Sequence, residues 1–142
     1  MSTQRTKTVG NYDNLDTYRV DPAFSCDLTP SDRNTAGDEY KPVKYSAVSS
    51  GSTLPEVDLP SEDDVVIGMV HNISPDGKVC RVQRSGFMAF LYTGSDPTIN
   101  TMVKLTGSAT AGKVKCVTPT LGAKQFEVVD VDTENSIVEV VC

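Results

Sequence analysis

The stretch Asp64-Val65-Val66-Ile67-Gly68-Met69-Val70, followed shortly by Ser74-Pro75-Asp76-Gly77 and then Val79-Cys80-Arg81-Val82-Gln83, decides the fold. Its first run is largely apolar and β-branched, the chemistry of a strand, and Gly68 inside it marks a bulge or a point of close packing. Pro75 and Gly77 stand where a type I turn leading into a bulge wants them, because proline presets its own φ and glycine tolerates a positive one. Val79 to Gln83 then alternates in polarity. The expectation is two antiparallel strands joined by a tight turn.

Working outward, Arg84-Ser85-Gly86 turns the chain into Phe87-Met88-Ala89-Phe90-Leu91-Tyr92, an apolar run expected to be buried on both faces and to centre the core. Met102-Val103-Lys104-Leu105 and Gly112-Lys113-Val114-Lys115-Cys116-Val117 repeat a period of two, with lysines opposite Val103, Leu105, Val114 and Cys116. Gln125 to Val131, the polar turn Asp132-Thr133-Glu134-Asn135, and Ser136 to Cys142 read as a second hairpin. No window shows helical periodicity and no solenoid repeat is present. The fold class is all-β, a small antiparallel barrel or sandwich.

Residues 1–62 read differently. Pro22, Pro30, Pro42, Pro55 and Pro60 fall there, among many Ser, Thr, Asp and Asn and without sustained apolar periodicity. The run from Ser49 to Pro60 reads as an extended linker, since each proline removes a backbone donor and biases its predecessor towards extended geometry. The expected organisation is an extended N-terminal arm and linker over 1–62 and a compact β-domain over 63–142. Tyr12, Tyr18, Phe24, Tyr40 and Tyr45 give the arm aromatic anchors. Five rings cannot offset the conformational entropy of so long a segment, so the arm is expected to order against a large partner surface, by strand addition to a neighbouring sheet.

Composition narrows the function classes. A net charge of −6, from 19 acidic and 13 basic residues, argues against neutralising phosphates or docking on anionic lipid. No segment approaches the length of a membrane span, and the start lacks the apolar stretch of a signal peptide, so synthesis in a cytoplasm is expected. The four cysteines stand singly and His71 is the only histidine, a poor basis for zinc. Cys80 and Cys116 read as small buried hydrophobes on strands, whereas Cys26 and Cys142 are candidates for an intersubunit disulfide.

His71 has no nucleophile context beside it and reads as a hydrogen-bonded strand-end residue, so no catalytic site, metal or cofactor is expected. The carboxylates Glu62-Asp63-Asp64 and Asp130-x-Asp132-x-Glu134 read as solvated turns rather than calcium loops. Gly107-Ser108-Ala109-Thr110-Ala111-Gly112 reads as a turn and not a phosphate cradle. Lys104, Lys113, Lys115 and Lys124, with Tyr92 and Phe126, would line the groove of an OB- or SH3-like nucleic-acid module, an alternative the acidic charge disfavours.

Val66-Ile67-Gly68-Met69-Val70, Ser74-Pro75-Asp76-Gly77, Gly86-Phe87, and the closing Phe126-Glu127-Val128-Val129 with Ile137-Val138-Glu139-Val140 resemble the tailed-bacteriophage capsid decoration proteins with a β-tulip type of domain. The resemblance covers about the last 80 residues and rests on turns and hydrophobic alternation. It implies a homotrimer on three-fold or quasi-three-fold positions of a phage head, with the major capsid protein as partner and the outer capsid surface as location. It also implies an N-terminal segment pinning adjacent capsid subunits. A head-fibre domain that binds receptors or glycans is a further alternative.

Overall fold

The computed structural model describes residues 21–28, 41–47 and 54–142, and every regular element among them is a strand. In chain order these are β1 (Ala23–Ser25), β2 (Pro42–Tyr45), β3 (Val57–Asp58), β4 (Gly68–Ile73), β5 (Val79–Gln83), β6 (Phe87–Leu91), β7 (Met102–Gly107), β8 (Val114–Val117), β9 (Phe126–Asp132) and β10 (Ile137–Val141). They make two five-stranded antiparallel sheets, ordered β1-β5-β4-β2-β3 and β6-β10-β9-β7-β8. The all-β expectation holds.

The predicted turn forms as its residues dictate. Gly77 N–H donates to the Ser74 carbonyl at 2.9 Å, Gly77 takes φ 75°, and the Asp76 carboxylate accepts from Ser74 Oγ and Lys78 N. β4 and β5 leave it antiparallel, with His71 in a bulge between the Val70 and Asn72 pairings. β9 and β10 form the other expected hairpin, its turn closed by Asp132 Oδ1 accepting from the N–H groups of Glu134 and Asn135.

The apolar run that opens the hairpin serves two sheets. Val66 N–H donates to Leu105 in the second sheet, while Ile67 N–H donates to Val43 in the first, so the chain changes sheets between adjacent residues. The crossover divides the run: Val66 and Met69 enter the core of the second sheet, and Ile67 and Val70 that of the first. The pairing of β4 accordingly begins at Gly68, later than the run itself. Gly68 is required for closeness, because a Cβ there would stand 2.2 Å from the Gln83 carbonyl oxygen. Gly107 meets Ser61 in the same way, at 2.1 Å.

Two corrections follow. First, the expected boundary after Glu62 does not separate the described strands, since β1, β2 and β3 all precede it and complete the first sheet around β4 and β5. Phe24, Val43 and Val57 are buried there with Ile67, Val70 and Val82. The described end of the supposed linker, residues 54–60, is paired to the sheet: Ser25 N–H donates to Pro55, and Ser46 N–H to Glu56. Pro42 is tolerated because it is the first residue of its strand. These elements escape a periodicity reading because they span three, four and two residues, with partners far away in sequence. Second, β6 is buried on one face only. Met88, Phe90 and Tyr92 point inward at 1–3% exposure, whereas Phe87 is 67% exposed and Leu91 39%.

Candidate partner-binding surface

The uncovered face of β6 arises from its place in the sheet. β6 is an end strand, and β10 is its only strand neighbour among the described residues. The register sets Leu91 beside Ile137, Ala89 beside Glu139 and Phe87 beside Val141. Because side chains alternate across a strand, these six share the outer face and form an apolar strip interrupted by one carboxylate.

The strip is held at both ends. At its start the buried Gln83 donates through Nε2 to the carbonyls of Ser85 at 2.9 Å and Phe87 at 2.6 Å, tying the end of the first sheet to the beginning of β6. At its far end Tyr92 forms a parallel bridge with Val114, and Thr93 N–H donates to the Val114 carbonyl at 2.9 Å, so the second sheet curls towards closure. The Tyr92 hydroxyl donates to Asp96 at 2.7 Å, which raises its pKa to about 12 and ties the loop after β6 to the barrel.

Between these points the curl leaves a cleft of about 260 Å³ along the outer edge of β6, lined by Ala89, Leu91, Ile137, Gly112, Lys41 and Lys113. Gly112, at φ +81°, lets the Lys41 stem cross it: a Cβ there would come within 3.0 Å of Lys41 Cε. Lys41 and Lys113 bring positive charge to an otherwise apolar opening. An exposed apolar strip, a strand without a second neighbour among the described residues and a cleft with a cationic lining are together suited to an extended segment of another protein carrying apolar and acidic side chains.

The residues singled out from sequence are distributed differently. Tyr12, Tyr18 and Tyr40 lie outside the described residues. Phe24 is 4% exposed within the chain's own core, so it is a packing residue and not a free anchor. Tyr45 is 46% exposed, its ring 6.1 Å from that of Phe24 and covered by the Arg84 guanidinium at 5.5 Å. Of the two cysteines expected to join subunits, Cys26 is buried on the first sheet and Cys142 is exposed after β10 on the second. His71 Nδ1 lies 3.9 Å from Asp21.

Three of the four lysines of the alternative nucleic-acid groove, and both its aromatics, are engaged within the chain, whereas Lys113 lines the cleft beside β6. Lys115 pairs with Asp63 at 2.7 Å and Glu62 at 3.5 Å, and Lys124 donates to the carbonyls of Ile67 and Arg84. Lys104 reaches Thr120 at 3.2 Å, while Tyr92 and Phe126, at 3% and 0% exposure, offer no ring for a base to stack on. Among the described residues no group of three His, Cys, Asp or Glu side chains is arranged to hold a metal ion.

The strip itself carried one signal in the sequence. Glu139 between Ile137 and Val141 requires a solvent-facing side of β10, hence of the strand beside it, but the identity of that neighbour is not local information. No family model, curated protein or solved structure matches the chain.

Proposed function

We propose that the chain is a structural binding module that decorates the outside of an assembled phage head as a trimer, with the Phe87–Leu91 face of β6 meeting the major capsid protein. The observation that carries the binding reading is Phe87, a large apolar side chain 67% exposed at the start of an end strand. Sheet edges are normally blunted or covered, so an apolar one beside a cleft calls for an occupant. The resemblance supplies the capsid and the trimer, and the acidic balance suits a place outside the shell, away from packaged DNA.

The strapping role then belongs to residues 1–20, with Tyr12 and Tyr18, because Ala23–Ser25 is already built into the chain's own first sheet as β1. Three such modules on one symmetric position would add modest contacts into tight occupancy. A ligand bound only to the assembled lattice shifts the equilibrium against its opening.

The test is co-sedimentation of the full chain with mature shells assembled from the major capsid protein of the same phage. Saturable binding is expected, with a loss of about tenfold to a hundredfold in the Phe87→Glu/Leu91→Glu variant, given 1.4 kcal/mol per decade and the burial value of two apolar side chains. The substituted side chains face outward, so circular dichroism should be unchanged. Equal binding by wild type and variant, or none by either, refutes the proposal.

A further inference from the structure

Cys26 and Cys80 are partners that the sequence does not pair. Phe24 stands opposite Cys80 in the β1–β5 register, and Cys26 N–H donates to the Lys78 carbonyl at 2.9 Å. Cys26 therefore lies diagonally across from Cys80 on the same face, and both side chains are buried in one cluster at 5% and 1% exposure. The two thiols are close enough to shift one another's titration, and the Cys26 sulfur donates to the Gly77 carbonyl at 3.3 Å. Cys80 holds the Cys26 thiol below its ordinary value, while Cys26 and burial push the Cys80 thiol up.

We propose that Cys26 and Cys80 are a disulfide-forming pair that, on meeting a small disulfide oxidant, covalently locks β1 onto β5. Access comes from β1 itself, a three-residue strand at the end of its sheet, where local opening is easiest. The Cys26 thiolate attacks one sulfur of the oxidant, forming a mixed disulfide and releasing one thiol. Cys80 then loses its proton and attacks the Cys26 sulfur, which breaks the mixed disulfide and releases the second thiol. Two protein thiols become one disulfide as one small disulfide becomes two thiols.

Diagonal neighbours start slightly wide of disulfide geometry, so the reaction needs a small slide of one strand. A short end strand permits that slide. The consequence is mechanical: the root of residues 1–20 is fixed to the barrel, so a pull on that segment is borne by β5 rather than by a strand free to peel. The inference stands whatever the partner of the β6 face proves to be.

The experiment treats the full reduced chain with oxidised glutathione. The expected product is a monomer lighter by two hydrogens, with Cys26 and Cys80 joined in the peptide map and Cys116 and Cys142 still open to alkylation. Its melting temperature should rise by about 5–15 °C, from the loop-closure effect of a cross-link in a domain of this size. Cys142→Ser should leave both results intact, and Cys80→Ala, which keeps a small apolar group in the core, should abolish them. A stable glutathione adduct on Cys26, a Cys142-linked dimer as the main product, or oxidation without a rise in melting temperature overturns the proposal.

Discussion

Replacing Phe24 by alanine separates a strand of the chain's own core from an anchor meant for another protein. The ring is 4% exposed, lies in the cluster of Val43, Val57, Ile67, Val70 and Val82, and sits on a strand paired to β5. Deleting a buried phenylalanine ring typically costs about 3–5 kcal/mol, the lost transfer energy plus that of the cavity. β1 is short and terminal in its sheet, and the cost cannot exceed that of letting it peel away, so the low end applies, about 3 kcal/mol. For a domain of this size that corresponds to a fall of roughly 6–12 °C in melting temperature. Urea and thermal unfolding of the isolated chain, followed by far-ultraviolet circular dichroism, measure it directly. Tyr45→Ala is the internal control, because its ring is 46% exposed and should lose about 1 kcal/mol or less. A loss below about 1 kcal/mol for Phe24→Ala would refute the placement of β1 in the core and return the ring to the role its sequence context suggested.

Gly68→Ala should destabilise by about 1–3 kcal/mol, with Cβ driven against the Gln83 carbonyl, and a urea midpoint equal to wild type would contradict that close approach. Three of the described carboxylates contribute to the acid sensitivity of the fold. Lys44 beside Asp64, Ser74 beside Asp76 and Asn135 beside Asp132 each hold the carboxyl below its ordinary value of 3.8. The folded form thus binds fewer protons than the unfolded one in this range, so their contribution is present above pH 3.8 and is lost as pH falls through the depressed values. Urea midpoints should fall below pH 4, and Asp76→Asn should flatten part of that fall; an unchanged pH profile in the variant would exclude Asp76 from it.

How much was legible without coordinates depended on how far apart the interacting residues lie. Pro75 and Gly77 dictate the turn between β4 and β5 through their own backbone preferences, and Asp132 to Asn135 do the same between β9 and β10. The alternation of Val103, Leu105 and Val114 with lysines marks strands buried on one side. These are properties of a few consecutive residues, so the sequence by itself determined the all-β class, the two hairpins and most of the strands after Gly68.

Only the tertiary structure decided the rest, because it depends on partners distant in the chain. Phe24, Val43 and Val57 lie on strands too brief to show a period, and they become core through pairing or packing with β4 and β5. Phe87 and Leu91 look as apolar as Met88 and Phe90, and what distinguishes them is that β6 ends its sheet with one face left uncovered by the described residues. The approach of Cys26 to Cys80 likewise follows from β1 lying beside β5. Local chemistry fixes what a segment can become, whereas burial is a property of what the folded chain brings against it.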